Sequence, residues 1–392
     1  MTNLVTHSNQ QHHQSYSLIF LDGLRGLAAL YVMVGHARWL LWEGYGNGYL
    51  LHSQVYNPMG KIFVYLFSTF RYGHEAVLFF FVLSGFVIHL RYSLDLKRNG
   101  AKAKFDWLPF IKRRVRRLYP PLLFAMIITL LADRFAIKLG YQTFRGLPIY
   151  LNQSSIVDPS YSLKTAVGNM LFLMDAYVPV WGTNGPLWSL KCEWWFYMIY
   201  PLFWVLSRRS IGLATAVMLT LFCLSFLSVI WPMKLLKDVF SLMVVWWLGV
   251  LLADIYTKRI HISIYWLSPL MLLLPLLVLN LAPPFFMPIL WGMFFSGLIC
   301  FCFFLQSKKI SLEILNSLKW LGDMSYTLYV VHFPLLLFMS GWLIARSPDQ
   351  KSLPTHFNWV FAGIILCVLF SYVLHFMIEK PFISRKTNNI KK

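Results

Sequence analysis

A chain that must lie in lipid has few folds open to it, because its backbone N–H and C=O groups find no water there and pair internally as helices. Ten apolar runs near the length that spans a hydrocarbon core punctuate the 392 residues, at 21–41, 75–90, 119–137, 187–206, 211–231, 239–256, 264–281, 285–305, 324–344 and 358–378. The expected fold is an all-α polytopic membrane protein, a bundle of about ten transmembrane helices. Composition agrees, since 58% of residues are hydrophobic and 13% charged, too apolar for an ordinary soluble chain. A further apolar segment near 163–175 is short and runs into the turn-rich VPVWGTNGP, so it is expected to be interfacial or re-entrant.

The formal net charge of +20 invites a nucleic-acid partner, but Lys and Arg also mark the cytoplasmic turns of polytopic proteins. With the N-terminus inside, those turns receive Arg25, the block from Arg91 to Arg117, Arg208 and Arg209, Lys258 and Arg259, Lys308 and Lys309, Lys319 and the C-terminal cations. Topology therefore accounts for the charge without nucleic acid, and both termini are expected in the cytoplasm. Residues 1–18 contain no Lys or Arg and no apolar core, which fails the signal-peptide pattern. They are expected to form a disordered cytoplasmic tail, with a membrane domain over 19–382 and a basic cytoplasmic tail over 383–392. The longest stretches between runs, near 42–74, 91–118 and 138–162, are too short for a soluble domain.

Against this background, polar residues inside the runs are the informative ones, because ionisable groups in a bilayer are costly and face the bundle interior or a watery cavity. In LDGLRGLAALYVMVGH, Asp22 and Arg25 stand at i and i+3, so an interfacial ion pair explains them as well as a function does. Arg25 and His36 are eleven residues apart, within about 20° of three full turns and separated by roughly 16 Å along the axis. His36 is thus a deep imidazole on the same face as a shallow cation, and imidazole is the usual proton acceptor near neutral pH.

The remaining stretches carry competing readings. In FFFVLSGFVIHLRY, Ser84 and Gly85 are expected to let two backbones pack closely, and His89, beside Arg91, to meet headgroups or water. In KRRVRRLYPP, where the inner loop meets the third run, five cations lie within six residues. Arg113, Arg114, Arg116 and Arg117 suit anionic headgroups or a phosphate-bearing ligand equally. Ser189, Glu193 and Tyr197, at i, i+4 and i+8, form one polar stripe, with Glu193 a partner for a buried cation or for hydroxyls; Lys191 is expected to snorkel outward. Ser325 and His332 share a face with Tyr329 one turn from His332, either a network stitching helices together or part of a shared cavity. Glu379 is expected to pair structurally with an inner Arg. The five cysteines lie in apolar runs with neither CxxC nor His at ligand spacing, so inert buried thiols and no metal are expected.

Six stretches in order, LDGLRGLAALYVMVGH, FFFVLSGFVI, RRVRRLYP, WSLKCEWWFY, SYTLYVVHFP and EKP, make the chain resemble acyltransferase family 3, the integral-membrane O-acyltransferases. The Arg25 to His36 spacing is its most specific element. The resemblance implies transfer of an acyl group, usually acetyl, from cytoplasmic acyl-CoA to a hydroxyl of a carbohydrate or other exported acceptor, such as O-antigen, exopolysaccharide or peptidoglycan. It places the enzyme in the bacterial cytoplasmic membrane and lets it stand alone, without the SGNH-type domain some relatives carry. On this reading Arg25, Arg113, Arg114, Arg116 and Arg117 hold the phosphates of acetyl-CoA, a substrate rather than a resident cofactor, and the thioester meets His36. His36 acts as general base for direct attack, or the acyl group is first parked on a protein group; direct transfer is preferred because no activated nucleophile stands out. Glu193 orients the sugar or the imidazole, with His332 behind it. The partners implied are acyl-CoA, a carbohydrate or glycolipid acceptor and the bilayer, with a homo-oligomer left open. The competing class is a transporter or flippase for an anionic or glycolipid substrate, although no matching halves with broken helices are visible.

Overall fold

The computed structural model describes residues 18–141, 159–227, 233–278 and 280–382. Leu18 apart, the expected tails at 1–18 and 383–392 lie outside the described residues. The chain is helical, and among the described residues β pairing is confined to two isolated bridges, Ser160 with Trp181 and Met174 with Val178. Among the described residues its α-helices of five residues or more are α1 (Ile19–Leu41), α2 (Pro58–Ser68), α3 (Gly73–Asn99), α4 (Trp107–Lys138), α5 (Leu163–Met170), α6 (Trp188–Arg209), α7 (Ile211–Leu224), α8 (Lys234–Tyr256), α9 (Ile264–Val278), α10 (Met287–Ser307), α11 (Glu313–Ser317), α12 (Lys319–Asp323), α13 (Ser325–Arg346) and α14 (Asn358–Leu374).

Each expected run contains a helix, but among the described residues seven helical spans are long and apolar enough to cross a membrane: α1, α3, α4, α8, α10 with the turn before it (Pro284–Ser307), α13, and α14 with the turn after it (Asn358–Glu379). α7 and α9 are shorter apolar helices, and α6 carries Lys191, Glu193, Arg208 and Arg209. The peripheral faces are apolar, with Leu131, Leu202, Leu277 and Leu369 exposed, as lipid-facing surfaces must be. This is an integral membrane protein.

The helices overrun their apolar stretches. Lys, Arg and Leu are good helix formers, so α3 continues to Asn99 and α4 begins at Trp107, and the basic block lies within α4 instead of at a loop junction. The expected interfacial segment supplies α5, only 8 residues long and too short to cross. Between α1 and α3 the chain is also helical in part: Asn57 caps α2 by accepting from the Gly60 amide at 2.7 Å.

Small residues set the closest approaches. A Cβ on Gly85 of α3 would stand 2.0 Å from the Trp246 carbonyl of α8, and one on Gly249 would stand 1.9 Å from that of Val82. The packing expected at Ser84 and Gly85 is thus realised by the glycine. The contacts also fix directions: Arg25 and His36 of α1 meet Ser325 and His332 of α13 in the same order, so these two helices run parallel. Ser84 and His89 meet Tyr197 and Tyr200, making α3 and α6 parallel too.

Four expectations change. His89 meets neither headgroups nor water; it is fully buried between the Tyr200 hydroxyl at 2.7 Å and Asp254 at 3.1 Å, because α8 presents a carboxylate opposite it. Lys191 does not snorkel. It is 1% exposed and pairs with Asp238 at 2.6 Å and Asp175 at 3.5 Å, two carboxylates that make burial tolerable. Glu379 accepts from the Thr327 hydroxyl at 2.6 Å and from His375, so its nearest partners belong to α13 and its own helical turn and not to an arginine. Four cysteines are buried as expected, whereas Cys223 of α7 is exposed.

Candidate active site

The site grows from the parallel pair α1 and α13. At the end of α1 where the chain enters it, Arg25 is tied down on several sides. Its Nε donates to Ser325 Oγ at 3.0 Å, its Nη2 to the Gly322 carbonyl at 2.8 Å, and the latter nitrogen also pairs with Asp22 at 3.1 Å. The expected i, i+3 pair therefore forms, and it serves to aim the guanidinium. Gly322 is small because the backbone of α1 passes against it: a Cβ there would stand 2.0 Å from the Asp22 carbonyl.

Arg25 forms part of the walls of two cavities. One, of about 260 Å³, is lined by Arg25, Arg113, Arg116 and Arg117 with Asp323, Glu379 and Phe382. The other is narrow, about 70 Å³, and is lined by Arg25 and Arg117 again with Ser84, Ser189, Glu193, Ser325, Tyr326 and Tyr329 among apolar residues. Arg114 turns elsewhere, its guanidinium 5.1 Å from the ring centres of both Phe110 and Tyr197. Two residues of the narrow cavity's lining, Glu193 and Ser84, meet at Tyr197, which donates to Glu193 and whose hydroxyl lies 3.1 Å from Ser84 Oγ. Ser189 and Tyr329 share a hydrogen bond of 2.7 Å. The stripe read along α6 is real, and its partners are hydroxyls.

Beyond Tyr329 stands the histidine pair. The rings of His36 and His332 are nearly parallel with centroids 5.0 Å apart, and His36 Nδ1 is 2.7 Å from His332 Nε2. His332 Nδ1 lies 2.9 Å from the Leu328 carbonyl. That carbonyl can only accept, so Nδ1 of His332 carries a proton and, in the neutral ring, Nε2 is the acceptor. His36 then donates from Nδ1, which leaves its own Nε2 with a lone pair. His36 is half-buried and His332 fully buried. The partner of the His36 imidazole is accordingly His332; Glu193 accepts from the Tyr197 hydroxyl instead.

Sequence reasoning overlooked two groups that shape this region. Asp133 of α4 accepts from Thr183 and Tyr161, and Asn184 donates to the Val330 carbonyl of α13 at 2.9 Å. Together they pin the segment before α6 over α4 and α13. Asp133 lies inside an apolar run and carries the same signal that singled out His36.

A guanidinium and an imidazole on one helix, each held by the same neighbouring helix, complete the motif on which the resemblance rested. The family profile described as an acyltransferase domain matches residues 18–376. The chain belongs to acyltransferase family 3. Among curated relatives, it is 26% identical over 95% of its length to the Bacillus subtilis protein named "Putative peptidoglycan O-acetyltransferase YrhL", of which it covers 55%. It is 26% identical over 48% of its length to acyltransferase MdmB of Streptomyces mycarofaciens, covering 40% of that protein. The chain thus spans about half the length of these relatives. A third, protein 2 in the picA locus of Rhizobium radiobacter, is 28% identical over 45% of the chain and 73% of its own length. No solved structure matches the chain.

Proposed function

We propose that this acyltransferase moves an acetyl group from cytoplasmic acetyl-CoA to a hydroxyl of a surface glycan, with His36 as general base. The observation that carries the proposal is the proton order along Leu328, His332 and His36, which leaves a basic nitrogen on His36 at the far end of the helix that holds Arg25 in the arginine-lined cavity. The cavity chemistry supports a phosphate-bearing donor, since clustered guanidinium groups bind phosphate oxygens in pairs. Arg25 and Arg117, shared by both cavities, mark a route for a long thin arm toward Tyr329 and the histidines.

In the chemical step His36 Nε2 takes the proton of the acceptor hydroxyl as its oxygen attacks the thioester carbonyl. The C–O bond forms, the C–S bond breaks, and the CoA thiolate leaves and takes up the proton that His36 removed, which restores the base. His332 keeps its own proton and holds the His36 ring in the productive tautomer. A general base of this kind contributes about 10²- to 10⁴-fold in rate. The name of the Bacillus relative favours a glycan acceptor outside the cytoplasm, and that of the Streptomyces relative supports acyl transfer alone. The distribution of Lys and Arg supports ten crossings of a bacterial cytoplasmic membrane with both termini inside.

The test compares membranes holding wild type, His36→Ala and no protein at matched abundance, measuring acetyl-CoA consumption and ester-linked acetate on surface glycans by mass spectrometry. Consumption and ester confined to wild type are expected. Equal ester with His36→Ala would remove His36 from the chemistry, and a wild type that leaves acetyl-CoA untouched would favour a flippase.

A further inference from the structure

A separate cleft of about 270 Å³ opens between the start of α2 and the start of α14, lined by Tyr56, Asn57, Phe63, His356 and Asn358 among others. Its chemistry is specific. Aromatic rings offer flat apolar faces, while the amides and the imidazole can each donate and accept. No Asp, Glu, Lys or Arg lines it, so it has nothing to neutralise a charged ligand. His356 and Asn358 are exposed, and among the described residues no side-chain hydrogen bond engages either. Asn57 spends only its Oδ1, on the Gly60 amide, which leaves its NH₂ free. A neutral sugar ring, with C–H faces for the aromatics and hydroxyls for the amides, matches this lining.

The cleft is also connected to the reacting centre. Trp42, just past the end of α1, packs against Phe357 with ring centroids 4.8 Å apart and donates from Nε1 to the Tyr56 hydroxyl at 2.7 Å. The Glu43 amide donates to the Pro354 carbonyl at 3.2 Å, tying the two walls together. Trp42 follows His36 by six residues, about 9 Å of helix axis. The same two helices that carry His36 and His332 therefore lead into the two walls of the cleft.

We infer that this cleft is an acceptor subsite that binds a neutral saccharide unit of the glycan at a distance from the sugar that reacts at His36, so that the enzyme selects oligomeric or polymeric acceptors over single sugars. The inference rests on the acyl-transfer reading, and its test separates the two. Glycan released from the cells that express the protein is fractionated by chain length, and each fraction is offered with radiolabelled acetyl-CoA to membranes holding wild type or His356→Ala/Asn358→Ala. Both substituted side chains are exposed, so membrane abundance is expected to match. For wild type, KM falls as acceptor length grows. For the double variant, KM for long fragments rises about tenfold, the scale of lost neutral hydrogen bonds, toward that of the shortest, with kcat and the KM for acetyl-CoA unchanged. A length preference that survives the double substitution, or is missing from wild type, overturns the subsite. A wild type that labels no fraction of any length defeats the acyl-transfer reading itself, and the subsite with it.

Discussion

Because the Leu328 carbonyl can only accept, His332 presents an acceptor to His36, and this one-way order makes a sharp prediction. His332→Gln keeps an acceptor oxygen near the position of Nε2, whereas His332→Leu leaves the His36 N–H unpaired against the fully buried position 332. A lost buried hydrogen bond of about 1–3 kcal/mol corresponds to roughly 5- to 150-fold. The leucine variant is therefore expected to lose kcat in that range with little change in KM for acetyl-CoA, and the glutamine variant to retain most of it. Equal losses in both would show that His332 acts through packing alone. At this scale the sequence was partly legible. His36 and Arg25 stood out because a helix puts residues eleven apart on one face, but the partner of His36 lies 296 positions away, and no local pattern encodes such a pairing. Asp133 and Asp254 were as conspicuous as His36 by the rule that flags charge in lipid, yet each is tied to neighbouring helices or loops, Asp133 through both carboxylate oxygens and Asp254 through Oδ1.

Between elements, backbone proximity does the work that apolar burial does in water, since lipid is as apolar as leucine and close packing must drive helix association. α3 and α8 meet through Gly85 and Gly249, with His89 bonded to Asp254 and Ser93 to Thr257 further along the same seam. A methyl group at Gly249 would collide with the Val82 carbonyl, which belongs to helix backbone and cannot swing aside. Gly249→Ala is expected to cost about 1–3 kcal/mol of overpacking, seen as a lower melting temperature in detergent. Gly212→Ala, where a Cβ meets only Ser210 Oγ at 3.6 Å, is expected to have little effect. Identical melting of the two variants would mean the helices can separate without loss. The ten runs announced these elements but not their ends, because the cations that signal a cytoplasmic turn are themselves good helix formers and carried α3 and α4 past the apolar stretch.

For the whole molecule, contact order along neighbouring helices tests topology independently of charge. α1 and α13 run parallel, as do α3 and α6. α10 runs parallel to α3, since Phe79 meets Phe295 and Phe86 meets Phe303. α14 runs antiparallel to α13, since Glu379 bonds Thr327 while Cys367 approaches the His332 carbonyl. Strict alternation through α1, α3, α4, α6, α7, α8, α9, α10, α13 and α14 satisfies all of these relations, so the shorter α7 and α9 are expected to cross as well, helped by local bilayer thinning. In a Cys223→Ser background, single cysteines at Arg209, Leu281 and Gln350 then report sidedness to a membrane-impermeant maleimide in intact cells. Leu281→Cys and Gln350→Cys are expected to label from outside, and Arg209→Cys only after the cells are broken. A protected Leu281→Cys beside a labelled Gln350→Cys would remove a crossing from the middle of the chain and with it the alternating bundle. It would leave the α1 and α13 pair, and the chemistry proposed for it, intact.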